Sequence, residues 1–290
     1  MRIVTSVFQE QSLTALKKLQ VTHILVNELK FSSGIKGFDL QGLKNITEQA
    51  HQLNLQVIVK ADRLFNQSEL PELLAFLQYL DVIAVDEILF SDLTIKMLAD
   101  KYALKMKTIY APETLLTNKY DVRQLQLDGF DSCVISKDIP LTEMFDIAAS
   151  NKDYCYLRIH GPILISYGLR RFISVYLNEF KEYTDNYYLC EEHRETRLPV
   201  VEKESGTWLY GYTLQSVNEI VNICQRPLKG IIFDNMLYDD EYTIAVIKIY
   251  EDVIGQKLDS QKALEKLMQL NEKIIYTDIS EIKKTALDKE

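Results

Sequence analysis

Residues 154–177 gather side chains that could do chemistry: His160, Ser166, Arg170 and Arg171 fall within one short stretch. A histidine can take a proton from a serine hydroxyl, provided the chain folds back to bring the two within about 3 Å. On a helix, Arg170 would share the face of Ser166 and Arg171 would lie about 100° away, so at least one guanidinium could reach a carboxylate or phosphate. The bland alternative is equally open. A hydroxyl at a helix start usually caps it, and both arginines could bind carboxylates such as Asp138 or Asp234 in a salt-bridged plug.

Other chemistries find little support. There is no Gly-x-Ser-x-Gly nucleophile elbow and no His-Glu-x-x-His zinc pair, and the 4 histidines have no metal-ligand spacing. Cys133, Cys155, Cys190 and Cys224 are far apart with no C-x-x-C, so neither a disulfide framework nor a metal is expected. Cys133 and Cys155 sit in apolar runs, as buried reduced thiols do.

These residues must be positioned by a regular alternation. Period-2 apolar runs predict strands at 2–8, 23–27, 55–60, 81–86, 105–110 and 130–136, then at 155–160, where His160-Gly161-Pro162 should halt the strand. Helical periodicity predicts helices between them, at about 9–19, 42–53, 68–79, 91–103, 119–128 and 140–149, and another over 165–177. An eighth strand is expected at 229–235, followed by a helix over 239–254. Parallel strands with right-handed crossovers at this spacing predict a TIM-like (β/α)8 barrel, with irregularities allowed. The rhythm breaks at 186–212, where short antiparallel strands around Lys203-Glu-Ser-Gly206 read as a β-rich insertion after strand seven. Residues 213–225 read as helix. The expected division is a barrel with its insertion over 1–255 and a helical tail over 256–290.

In such barrels the reacting groups come from the C-terminal strand ends. Here those ends would offer Asn27, Glu28, Lys60, Asp62, Asp86, Glu87, Glu113, Asn118, Lys137, Asp138, His160, Asp234 and Asn235. The arrangement most worth testing puts His160, Ser166, Arg170 and Arg171 in one pocket at the barrel mouth, closed by the insertion. Asp234 is the further catalytic candidate, and Lys137, Asp138 and Asn118 are further binding candidates. A barrel enzyme using the carboxylate rim with a divalent metal is a weaker alternative, because the acids are spread over many strands.

The 290 residues are 47 % hydrophobic and 26 % charged, an ordinary globular composition. No apolar run approaches the roughly 20 residues of a membrane span, and the N-terminus lacks a signal-peptide core, so a cytoplasmic location away from membranes is expected. The net charge of −9 argues against a broad nucleic-acid surface and leaves room for a local basic groove.

His160-Gly161, Ile165-Ser166-Tyr167, Arg170 and Ser174-x-Tyr176-Leu177 resemble the signature of the U32 peptidases, the collagenase-like protease family. Members usually read His-Gly-x-x-Cys-Ile-Ser-Tyr-Ser-Gly-Arg-Cys-x-x-Ser-x-Tyr-Leu. The likeness extends to Ser136-Lys137-Asp138, to Glu113–Asn118 and to Pro199–Thr207. It implies a barrel and a hydrolase activity. Other members of the family resemble iron–sulfur proteins assisting hydroxylation of RNA or ubiquinone. A cluster needs about four thiolates, yet three family ligand positions hold Leu164, Arg171 and Gln215, and only Cys190 is retained, near His193. No cofactor is therefore expected. The resemblance leaves two functions: a U32 peptidase-like protein with a cluster-free pocket, acting on peptide or RNA, or a non-catalytic partner of a larger U32 paralogue in RNA modification.

Overall fold

The computed structural model describes residues 1–177, 187–190 and 197–282. Its strands are β1 (Arg2–Ser6), β2 (His23–Asn27), β3 (Gln56–Ala61), β4 (Glu87–Phe90), β5 (Lys107–Tyr110), β6 (Ser132–Val134) and β7 (Cys155–Gly168). There follow β8 (Tyr188–Cys190), β9 (Arg197–Lys203), β10 (Gly206–Gln215), β11 (Gly230–Phe233) and β12 (Tyr276–Asp278). β1 to β7 pair in parallel in chain order, and β11 closes the ring between β7 and β1. The result is the expected TIM-like barrel, closed by eight parallel strands with extra strands outside the ring.

Strand alternation builds two shells. Val4, Leu25, Ile58, Leu89, Ile109, Val134, Tyr156 and Ile232 fill the barrel interior. Their neighbours, such as Val57, Val59, Cys155, Leu157 and Ile231, face outward into the layer shared with the helices. Some of those helices start on side-chain caps that satisfy free backbone N–H groups: Asp39 for Leu40–Gln52, Asn118 for Lys119–Leu127 and Asp239 for Asp240–Ile254. Two residues beyond the apolar interior layer, the same inward positions become polar: Ser6, Asn27, Lys60, Arg158 and Asp234 are all buried. A polar layer at the C-terminal end of the barrel is thus written into the period of its strands.

Three expected element bounds between residues 81 and 225 are corrected. The fourth strand is Glu87–Phe90 rather than 81–86, because the preceding helix runs to Val82 and a turn through Ala84, at φ 59°, follows it. This moves Asp86 and Glu87 to the N-terminal end, where Glu87 accepts from Arg2 at 2.5 Å and Asp86 lies 2.8 Å from His51 Nε2. Second, β7 does not stop at His-Gly-Pro. Its pairing with β11 ends at His160, so the missing N–H of Pro162 interrupts no barrel ladder, and the strand continues to Gly168 as a partner of β10. The helix expected over 165–177 is reduced to Phe172–Leu177. Third, β10 extends to Gln215, so the helix expected over 213–225 is only Ile220–Cys224.

β8, β9, β10 and the second half of β7 form an antiparallel hat over the C-terminal mouth. Trp208 is fully buried there and stacks on Tyr167, with ring centroids 4.6 Å apart, above Val201, Tyr210 and Met236. The chain after 255 is not purely helical: Ser260–Leu270 is followed by β12, which adds in parallel to β10.

Candidate functional site

Beneath the hat the barrel mouth holds a closed charge network. Lys60 Nζ lies 2.8 Å from Asp234 Oδ2 and 3.2 Å from Asp62 Oδ2. Arg158 donates both terminal nitrogens to Glu113, at 2.8 and 3.0 Å, and sits 3.6 Å from Asp234. Lys137 approaches Glu113 at 3.7 Å. Three cations therefore meet three carboxylates. The side chains are close to buried, with Glu113 the most exposed of the six network members at 16 %.

Their titration follows from the pairing. Burial alone would raise the Glu113 carboxyl, but Arg158 and then Lys137 outweigh it and hold the group at about 2. Burial likewise disfavours charged Asp234, and Lys60 and Arg158 reverse that, leaving its carboxyl below the usual range. Lys60 and Arg158 are raised despite burial, chiefly by Asp234 and Glu113 respectively. All four stay ionised around neutrality. Neighbouring groups fix the network in place: Ser33 donates its N–H and hydroxyl to Asp62 at 2.7 and 2.6 Å, and Asn235 N–H donates to the Ser6 hydroxyl at 2.9 Å.

Among the described residues, little space remains within the network itself. A cavity of about 10 Å3 borders Glu113, Lys137 and Arg158. That is room for about one water, whereas small-molecule pockets run to about 300–1,000 Å3.

The expected four-residue pocket is not assembled. His160 lies on the outer face of the barrel, with Nδ1 3.2 Å from the Tyr250 hydroxyl and Nε2 2.9 Å from the Tyr242 hydroxyl. The cause is a register shift: Ile232 pairs with Arg158 but Phe233 pairs with His160, so β7 carries an extra residue and the alternation changes phase. Gly161, at φ 137°, makes the turn, and a Cβ there would meet the Asp234 carbonyl oxygen at 2.2 Å. Burial pushes the His160 imidazole down to about 3, so it is neutral near pH 7.

Ser166 is exposed on the hat and pairs with Leu209. Arg170 and Arg171 are also exposed, in the turn after β7. That turn is tied to the hat hairpin: Thr207 donates to the Arg170 carbonyl at 2.8 Å, and Glu202 accepts from the N–H groups of Ile173 and Ser174 at 2.6 and 2.9 Å. Asn118 is a helix cap and Asp138 is half exposed at the edge of the network. Of the expected site residues, only Asp234, Lys137 and Asp138 lie at the mouth together. Arg158 was missed because it lies mid-strand, although its alternation with Tyr156 already places both on one face.

The iron–sulfur ligand set does not fit these residues. Leu164 packs against the Trp208 cluster, and buried Gln215 donates to Asp278 at 2.7 Å. Cys190 is exposed on β8, and His193 lies outside the described residues. Cys133 and Cys155 face each other at 3.9 Å in the outer shell, where their contact and burial push the Cys133 thiol well up, against the thiolate form a ligand requires. Among the described residues, no group of three or more His, Cys, Asp or Glu side chains could hold a metal ion.

The sequence profile of peptidase family U32 matches residues 20–286. The chain belongs to family U32. A curated relative, "tRNA hydroxylation protein P2" of Bacillus subtilis (strain 168), is 23 % identical over 274 residues, covering 87 % of this chain and 89 % of that protein. A solved U32 peptidase structure superimposes with a TM-score of 0.51 at 13 % identity, covering 80 % of this chain and 92 % of the other, a likeness of fold. Within the U32 signature of this chain, Gly161 allows the barrel-to-hat crossing, and Arg170 and Ser174 lie where that crossing is anchored to the hat. No described helix is long and apolar enough to cross a membrane.

Proposed function

We propose that this chain is a non-catalytic subunit of a tRNA-hydroxylating assembly, working in the cytoplasm beside a larger U32 chain that carries the reactive centre. The observation that carries this reading is the charge network in the barrel mouth: six mutually paired charges under a hat, with a cavity of only about 10 Å3 beside Glu113, Lys137 and Arg158. A peptidase would need a nucleophile within about 3 Å of its base. The ring nitrogens of His160 instead meet two tyrosine hydroxyls, and Ser166 is exposed on the hat. The tRNA substrate class is supported by the curated relative, which matches along nearly its whole length.

The test has two arms. Deleting the gene should lower tRNA hydroxylation, measured by mass spectrometry of tRNA nucleosides, and affinity purification should bring down a larger U32 chain. Unchanged hydroxylation would overturn the reading. So would peptide cleavage by the isolated chain that Ser166→Ala abolishes.

A further inference from the structure

A second concavity lies away from the charge network of the barrel mouth. It is a groove of about 780 Å3 between the hat, the loops after β2 and β11, and the segment 271–275. Tyr187, Tyr188, Tyr212 and Tyr238 line it together with Lys36, Arg197 and Lys273, and among the described residues no carboxylate lines it. In a chain of net charge −9, a groove whose described wall carries three cations and no acid runs against the average surface. Among the described residues, Asp239 and Glu272 adjoin lining residues in sequence without lining the groove themselves.

The aromatic side chains are partly held and partly free. The Tyr238 hydroxyl hydrogen-bonds Thr213, and its ring lies 4.5 Å from that of Tyr242, whose hydroxyl meets Tyr276 at 2.9 Å. His160 backs this cluster through Tyr242. Tyr188 and Tyr212 are by contrast 48 % and 38 % exposed. Exposed rings on a hydrogen-bonded floor beside three cations suit one ligand chemistry well. Unstacked bases lie on aromatic faces while phosphates run past the cations, and every base offers such a face.

We propose that this groove binds a short unpaired segment of RNA, with Tyr188 and Tyr212 stacking on bases and Lys36, Arg197 and Lys273 contacting phosphates. This rests on the tRNA reading above and adds where the RNA lies: outside the barrel, across the hat, rather than in its mouth. The charge-filled mouth and the open groove then divide the labour. One holds the fold together, and the other presents substrate to the partner chain.

Fluorescence anisotropy of the full chain with labelled single-stranded oligouridine tests the site, with a blunt RNA duplex as control. The single strand should bind better than the duplex. Three phosphate contacts predict a log–log salt slope of about −2, or roughly a twentyfold loss between about 50 and 200 mM salt. Lys36→Ala/Arg197→Ala/Lys273→Ala should flatten that slope towards zero, and Tyr188→Ala or Tyr212→Ala should each weaken binding by about 5- to 100-fold. These surface changes should leave thermal unfolding unaltered.

Equal binding by wild type and the triple variant would overturn the groove. So would tight, salt-insensitive binding of a protein partner that these variants abolish while RNA binding persists. If no RNA binds but gene deletion still lowers tRNA hydroxylation, the groove fails and the subunit reading stands. If RNA binds as described but deletion leaves hydroxylation unchanged, the groove stands and the tRNA-hydroxylation reading fails.

Discussion

Replacing Lys60 with methionine perturbs the barrel mouth most directly. The ammonium lies between Asp234 and Asp62 at 2.8 and 3.2 Å, on a side chain that is 2 % exposed. Methionine keeps most of the volume, so the change is chiefly electrostatic. Two cations would then face three carboxylates in a space without room to rehydrate them. Removing one partner of a buried pair costs about 3–5 kcal/mol. Against a total stability of about 5–15 kcal/mol, that is a large fraction.

Asp234→Asn in the same chain restores neutrality at two against two and keeps a polar group beside Ser6. The double variant should therefore be more stable than Lys60→Met alone. The coupling energy should be about 2 kcal/mol, well above the roughly 0.5 kcal/mol scatter of independent sites. Urea unfolding followed by far-ultraviolet circular dichroism measures all four corners of the cycle, with an unchanged m-value as the check on two-state behaviour. If Lys60→Met costs less than about 1 kcal/mol and the two changes simply add, water reaches these charges. The argument that no substrate fits among them then fails.

Three further outcomes are expected. His160 is buried and neutral, with its folded-state value lowered to about 3 from 6.5, so the unfolded chain binds the extra proton first and stability falls as pH drops below about 6.5. Between pH 7 and pH 5 this amounts to about 2 kcal/mol, and stability measured against pH should lose that share of its slope in His160→Gln, while buried His23, lowered to about 4, keeps its own. Gly161→Ala should destabilise by more than about 2 kcal/mol, since φ is 137° and the new methyl would stand 2.2 Å from a backbone oxygen; an unaltered melting temperature would show that the β7 crossing relaxes freely. The protein purified without oxygen should carry no stoichiometric iron and no sulfur-to-iron absorption band, because Leu164, Arg171 and Gln215 cannot supply thiolates; a brown, iron-replete preparation would contradict this donor set.

The barrel was readable from sequence because its strands and helices repeat their own periodicities, and each repeat is a local property. The site was less readable, and His160 shows why. The alternation Tyr156, Arg158, His160 points all three inward, but the phase of a strand is set by its partner. Phe233 pairs with His160 one residue out of step, and this sends the imidazole outward to Tyr242 and Tyr250 on a helix more than eighty positions later. No pattern within 154–177 carries that information. The same dependence misplaced Asp86 and Glu87. The run 81–86 has the composition of a strand, yet Leu70–Val82 continues as a helix because Leu73, Phe76, Leu77 and Leu80 are buried on one face of it. Arg158 is the opposite case. Its inward direction follows from alternation alone, and a guanidinium inside a barrel requires carboxylates within its reach. Glu113 and Asp234 were both already visible as strand-end acids. A buried arginine at an inward position is thus a readable prediction of a charge-filled mouth, made from one strand and checked on the residues that follow two others.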